Sequence, residues 1–414
     1  MPRPFALALM FALALAAEAR AESLDALLAE VRCASPELQA ATLAADAAQA
    51  RVAGAGSLMD PMIKLGVEDW GRSEPGYLPQ KSSEGTMKKL TVSQSLPFWG
   101  KRGMKRDIAE AEARGAAYTA EQTANELAMR LKIALAEMRG LTESVALART
   151  LERRLGTIAG AAKARYAEGE GQQPEVTRVT VERAAILAEI ARMEARRAVA
   201  EARVNRLLAR PQTRTLAEAP EWRRVPEPAR YDLAALIDRA QRDNPDLRAE
   251  RAANDGAVRA ADLAQRNWYP DFEVGVGAKR EMGRVQSYEA MVTMSVPLQW
   301  SLHRSEVSAA RAAAAAAENR RDAAELRVAE SLAAAWADLV AAREVEAVIR
   351  DTQLPQAELG FAAAAKGYEF GRVGATDVLI AEQQLWKSGL DLVTARLTQQ
   401  ARLAEIEALI GDDL

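Results

Sequence analysis

The chain repeats itself, and that duplication limits its fold more than any other feature of the sequence. Ser35-Pro36-Glu37-Leu38 matches Asn244-Pro245-Asp246-Leu247 at an offset of 209, and Asp60-Pro61 against Tyr269-Pro270 keeps that offset. Pro97 against Pro297 gives 200, so the first copy holds nine extra residues, in the Gly-, Ser- and Pro-containing stretch 71–86. Tyr166-x-x-Gly169 matches Tyr368-x-x-Gly371 at 202. Each copy therefore reads helix, strand, loop, strand, long helix, turn, helix.

Within each copy a strand becomes a helix at a proline. In MKKLTVSQSLPFWGKRGMKRDIAEAEARG, from Met87 to Gly115, the hydrophobic period changes from about 2 to about 3.6 residues. Leu90, Val92 and Leu96 alternate with Lys89, Thr91, Ser93 and Ser95, as in a half-buried strand. After Gly103 the chain is Ala-rich, charged and free of proline until Pro174, which predicts one long helix. In the second copy Tyr288 to Val296 alternates, Pro297 closes the strand, and Ala-rich helical sequence runs from Ser305 to Lys366. Pro97, Gly100 and Pro297 are the joint residues. The expected strands are 61–70, 87–96, 271–280 and 287–296, the long helices 98–165 and 298–367, and the return helices 175–208 and 376–411. The first repeat is then 22–208 and the second 231–414. Between them, residues 209–230 hold Pro211, Pro220, Pro226 and Pro228, cannot form a regular helix, and are expected to wrap the outside of the helical body. Leu24 to Ala55 reads as one helical segment.

Each strand is close to ten residues with one apolar and one polar face. Ile63, Leu65 and Val67 oppose Lys64, Gly66 and Glu68, while Phe272, Val274, Val276 and Ala278 oppose Glu273, Gly275, Gly277 and Lys279. That is the pattern of a transmembrane barrel strand, although an antiparallel sheet packed on helices alternates in the same way. The helices favour the membrane reading, because a continuous helix from Phe98 to Arg165 would run roughly 100 Å, far more than a globular domain needs. Leu127, Leu131, Ala134, Met138, Leu141, Val145 and Ala148 step by four and three, the seam of a coiled coil, and Leu332, Trp336 and Leu339 continue it in the second copy. Gly140 is expected to mark a local irregularity. Four lipid-facing strands leave two open edges, and unpaired backbone in hydrocarbon costs several kcal/mol per group. One chain cannot close a barrel; two give about eight strands around a filled interior, and three give about twelve with room for a lumen, the favoured count.

Residues 1–21 carry Arg3, an apolar run from Phe5 to Ala17, and Ala19 and Ala21, the pattern of a secretory signal peptide cut before Glu22. The run is shorter than the roughly 20 residues of a spanning helix. The net charge of −3 becomes −4 without Arg3, Glu18 and Arg20, a balance that does not point to nucleic acid. Cys33 is the only cysteine, so no intramolecular disulfide is possible and nothing speaks for a Cys-based metal site. His303 is the only histidine, with no nucleophile motif or Gly-rich phosphate loop beside it, so no catalytic constellation can be assembled. The chain reads as a non-enzyme without a cofactor, and His303 as a polar residue at the second joint. Met59, Met62, Met87, Met291 and Met294 gather on the strand segments, as apolar filler or as contacts for a soft metal. A periplasmic coiled-coil scaffold without a pore would account for the signal and the helices but leaves the four strands unexplained.

These features resemble the TolC-like outer-membrane efflux channels over nearly the whole mature chain. The carriers are the doubled layout, the joint SQSLPFWGKRG at Ser93 to Gly103, similar to the heavy-metal and cation efflux branch, and the segment YEFGRVGATDVLIAEQQL at Tyr368 to Leu385, similar to the family's periplasmic tip. The resemblance implies a mixed α and membrane β fold: a long α-helical coiled-coil barrel plus a β-barrel formed by four strands per chain in a homotrimer. It implies a duct in the outer membrane of a Gram-negative bacterium, with a periplasmic helical domain, contacting outer-membrane lipid. Its expected partners are a periplasmic adaptor and an inner-membrane pump of the resistance-nodulation-division type, its expected cargo metal cations, with drug efflux or type I secretion as the alternatives within the fold. Two departures stand out. No cysteine is placed to carry an N-terminal lipid, and Val373 stands where some members have an arginine that locks the closed state.

The expected closed end lies at the turns Tyr166 to Pro174 and Tyr368 to Thr376, each followed by an acid, Glu175 and Asp377, at the start of the returning helix. An acid there caps the helix and complements its dipole. Three copies of Asp377 around one axis would also form a carboxylate ring of the kind that constricts cation channels. The resemblance places the gate aspartate at Asp377, with Tyr368, Gly371, Glu175, Tyr166 and Gly169 around it.

Overall fold

The computed structural model describes residues 23–68, 87–216, 220–227, 230–281 and 284–414. The expected signal peptide and the extra segment 71–86 of the first copy lie outside them. The elements follow in the order α1 (Leu24–Ala34), α2 (Pro36–Ala55), β1 (Met62–Glu68), β2 (Met87–Leu96), α3 (Lys101–Ala167), α4 (Gln173–Leu207), α5 (Leu233–Asp243), α6 (Pro245–Arg266), β3 (Asp271–Glu281), β4 (Arg284–Ser295), α7 (Trp300–Val348), a π-helical turn (Ile349–Gln353), α8 (Leu354–Glu369) and α9 (Ala375–Ile410).

Proline and glycine explain where this order departs from the expected one. The single helix expected over Leu24 to Ala55 is two, because the residue before a proline is pushed out of the α region; Ser35 sits at φ −65°, ψ 119°. Asn244 before Pro245 does the same at φ −62°, ψ 122°. The first long helix begins at Lys101 rather than Phe98, after a turn in which Gly100 takes φ +86°. The second long helix, expected unbroken over 298–367, is interrupted at Ile349–Gln353. Pro355 has no N–H for the Asp351 carbonyl, and the wider π turn absorbs the missing bond. Gly140 marks no irregularity, since α3 runs straight through it. It marks a close approach: a Cβ there would stand 3.0 Å from Leu397 of α9. Gly389 of α9 does the reciprocal service for Leu147 of α3, which a Cβ would strike.

The described chain divides into two units. One contains the four strands with the flanking helical segments Ala41–Ala120 and Asp246–Ala324. Its sheet is antiparallel in the order β1-β2-β3-β4. The register sets Ile63, Val92, Val276 and Ala290 in one row and Leu65, Leu90, Ala278 and Tyr288 in another. The alternate rows, Lys64, Thr91, Gly277, Glu289 and Met62, Ser93, Gly275, Met291, take the opposite face. A period of two thus separates an apolar face from a polar one across all four strands.

The other unit holds the remaining helices and the connector. The seam read from α3 is its core: Leu127, Leu131, Ala134 and Ala148 are each 1 % exposed or less. Leu127 and Leu131 pack with Leu27 and Val31 of α1 and Val204 and Leu207 of α4. A second cluster joins Leu151 and Leu155 of α3, Val179 and Ile186 of α4, Phe361 and Tyr368 of α8, and Val378 and Leu385 of α9. The connector is held by side chains of the long helices. Trp222 Nε1 donates to Glu143 at 2.7 Å, Arg343 to the Pro226 carbonyl at 2.8 Å, and Gln400 to the Arg223 carbonyl at 2.8 Å. Arg223 and Lys132 converge on the buried Glu407 at 2.8 and 2.7 Å, and Lys132 with Arg223 holds the Asp413 carboxyl below its ordinary range against the desolvation that opposes it.

Candidate functional site

Two places carry the expected functional residues, and the sheet is the first. Among the described residues nothing covers its apolar face: Leu65 is 82 % exposed, Tyr288 86 % and Val292 73 %. An apolar face of that extent in water would be an aggregation site, whereas in hydrocarbon it needs no cover. The polar face carries the ion pairs Lys64–Glu273 at 3.7 Å and Lys89–Glu289 at 2.8 Å. Among the described residues β1 and β4 have no partner on their outer edges.

The joints are built to end the strands. Pro97 and Pro297 stand between strand and helix in the two copies, and Gly100 supplies the left-handed turn that a side chain would strain. Asp271 then accepts from the Phe98 N–H at 2.7 Å and from Lys101 Nζ at 2.8 Å, while Phe98 stacks on Tyr269 with centroids 4.7 Å apart. His303 lies beside Trp268, with its Nδ1 3.3 Å from Glu306 Oε2. The strand methionines Met62, Met291 and Met294 do not come together. Met62 and Met291 share the polar face but are separated by β2 and β3, and Met294 pairs with Phe272 on the apolar face. Among the described residues no three His, Cys, Asp or Glu side chains are grouped to hold a metal ion.

The second place is the pair of interhelical turns, where the repeated Tyr-x-x-Gly has a backbone cause. Gly169 at φ +81° and Gly371 at φ +69° end α3 and α8 in the left-handed region, and the N–H groups beyond them return to carbonyls of the last turn, Gly171 to Arg165 at 3.0 Å and Arg372 to Gly367 at 2.8 Å. The side chains are not equivalent, however. Tyr166 is 49 % exposed and Tyr368 only 1 %. The Tyr368 ring packs in the core with Phe361 and Val378, its hydroxyl reaches Glu175 Oε2 at 3.5 Å, and the Arg165 guanidinium lies 5.1 Å from its centroid. Burial, reinforced by the Glu175 carboxylate, raises the Tyr368 phenol, which stays a neutral donor. Arg165 also donates to the Tyr368 carbonyl at 3.2 Å, and Arg178 to Thr376 Oγ1 at 2.9 Å, so the first repeat is tied to the turn of the second at three points. Val373 packs on Gly367, where a Cβ would lie 3.1 Å away. Asp377 is exposed, and its Oδ2 accepts the Gly374 N–H at 3.1 Å, capping α9.

Three residues here were not expected. Arg165 and Arg178 carry the ties just described, and Arg165 left a trace as a cation in the last turn of α3. Glu382 on α9 is fully buried, both oxygens lack hydrogen-bond partners among the described residues, and desolvation, with Glu182 nearby, lifts it from the ordinary 4.5 to about 7. Its trace is a charge set within the apolar spacing Val378, Leu385.

The whole chain resembles solved channels. The outer-membrane channel OprN superposes with a TM-score of 0.82 at 17 % identity, over 94 % of this chain and 89 % of that one. VceC from Vibrio cholerae gives 0.79 at 18 % identity, over 94 % and 96 %. CusC, described undergoing conformational changes on folding and transmembrane channel formation, gives 0.76 at 14 % identity, over 94 % and 92 %. No curated protein matches the sequence. The family model described as outer membrane efflux protein matches residues 27–210 and 236–412, taking in both repeats. With that match over most of its length, and with the fold of an outer-membrane channel and a periplasmic helical domain, the chain belongs to the outer membrane efflux protein family.

Proposed function

We propose that three copies of the chain close a twelve-stranded barrel and serve as a passive duct for metal cations, in series with a periplasmic adaptor and an inner-membrane pump of the resistance-nodulation-division type. The observation that carries this reading is the four-stranded sheet, which among the described residues has one bare apolar face and two unpaired edges. Lipid satisfies the face but not the edges, so the edges must meet other copies. Four strands per chain reach a lumen at three copies. The polar face, with its Lys–Glu pairs, then lines the water path. A duct requires no bound metal, and selection rests with the pump.

The metal reading is supported by the joint SQSLPFWGKRG, and the gate reading by Asp377, which is exposed beyond its capping bond and would recur three times around the axis. Tyr368 contributes from inside the helical core, by fixing the turn that carries Asp377, rather than by lining the path. The test is a deletion strain complemented with the gene and grown on graded divalent and monovalent metal salts and on a panel of drugs. Restored metal tolerance alone is the expected result. Restored drug tolerance alone would reassign the cargo.

A further inference from the structure

At the end of the sheet where the strands give way to helices, the apolar face deepens into a groove of about 480 Å³. Its walls include Leu96, Phe98, Trp99, Phe272, Val274 and Val292. The register puts Leu96, Phe272, Val274 and Val292 on the face that also carries Ile63 and Leu65, so the groove is continuous with the surface that meets hydrocarbon. Trp99 is 76 % exposed beside it, an indole at the level where aromatic anchors sit in membrane proteins.

The charges at the mouth are unbalanced. Lys101 is spent on Asp271. Arg102, which lines the groove, uses Nε on the Gly56 carbonyl at 2.7 Å, and among the described residues it has no carboxylate partner. Arg266 is half-buried, its Nη2 3.8 Å from where a Cβ on Gly100 would stand; it faces the Tyr269 ring and likewise has no carboxylate among the described residues. Two guanidinium groups with no carboxylate partner among the described residues, one lining an apolar groove on a lipid-facing surface and the other beside its Gly100 wall, offer donors for phosphate next to a slot for methylenes.

We propose that this groove binds one anionic glycerophospholipid per chain, with the phosphate at Arg102 and Arg266 and the first part of an acyl chain against Trp99, Phe272 and Val292. The helices of this family are periplasmic, so the lipid comes from the inner leaflet of the outer membrane. The inference rests on insertion of the sheet into that membrane and not on the exported cargo, so a drug duct would keep the site.

The test is native mass spectrometry of the detergent-extracted, delipidated assembly titrated with palmitoyl-oleoyl phosphatidylglycerol or phosphatidylcholine. Phosphatidylglycerol is expected to be retained at one per chain, with phosphatidylcholine lost at lower activation energy. Arg266→Gln should weaken phosphatidylglycerol retention about fivefold, the worth of one basic residue at an anionic surface. Lys88→Gln, which alters an exposed lysine at the other end of the sheet, should leave it unchanged. Equal retention of the two lipids, or equal effects of the two substitutions, would mean annular lipid only and overturn the proposal. If Arg266→Gln does not assemble, the lipid preference of the unsubstituted protein and of Arg266→Lys decides.

Discussion

Glu382 should make the helical unit less stable as the pH rises through neutrality. Its carboxyl is fully buried in the stripe of α9 between Val378 and Leu385, with Phe361 of α8 and Val179 and Ile186 of α4 in the same core, and the charged neighbour that acts on it is the half-buried Glu182 of α4. Its folded-state pKa of about 7 lies above the ordinary 4.5. The folded chain therefore holds a proton that the unfolded chain has lost, stability is greatest below the ordinary value, and it declines until the folded group ionises. Lifting 4.5 to 7 at about 1.4 kcal/mol per unit costs about 3 kcal/mol per chain once the pH exceeds 7. Glu382→Gln keeps the shape of the neutral acid and cannot ionise. At pH 5, where only about a quarter of that cost is present, the two proteins should melt within about 1 °C of each other. At pH 8 the variant should melt higher by about 4 °C, taking about 2.1 cal/mol/K of unfolding entropy per residue. Helical circular dichroism during heating in detergent, at half-unit steps from pH 5 to 8, measures the difference. A gap that does not change with pH would refute the assignment of a buried, unpaired carboxyl.

Other outcomes are expected from the same geometry. Glu407→Gln removes the buried charge on which Lys132 and Arg223 converge, leaving them the more exposed Asp413, and should cost about 3 kcal/mol in denaturant unfolding. Gly389→Leu should cost about 1–3 kcal/mol by forcing α9 off Leu147, whereas an exposed substitution such as Gly360→Ala, where a Cβ meets nothing within 4 Å, should not destabilise. Asp377→Asn keeps an oxygen to cap α9 and removes the charge, while Asp377→Ala removes both. In planar-bilayer recording both should relieve block by divalent cations applied from the periplasmic side, and only Asp377→Ala should lose about 1 kcal/mol of stability. Block that survives Asp377→Asn would leave this residue a cap alone.

Much of this architecture was legible because it follows from spacing. The two faces of the sheet are a period of two in Ile63, Leu65 and Val67, and the α3 seam is a four-three step from Leu127 to Ala148; both needed only the backbone geometry of their elements. The joints were legible because Pro97, Gly100 and Pro297 act locally. What stayed hidden depends on residues far apart in sequence. Tyr166 and Tyr368 share a motif, yet only Tyr368 is buried, because Phe361 and Val378 close over it. The Arg165 tie ends on a backbone carbonyl, which no side-chain pattern can announce. The π turn before Pro355 was masked by the Ala-rich sequence around it, and Gly140 suggested a flaw in its own helix when its reason is Leu397 of another.

The count of chains per barrel tests the account most directly. Four strands with an apolar face and, among the described residues, two open edges are satisfied in lipid by further copies, and a lumen requires three. Light scattering coupled to size-exclusion chromatography in detergent, with the detergent mass subtracted, should give three chains per particle, and circular dichroism of that particle should show mixed helix and strand. A stable monomer in the absence of detergent would contradict it.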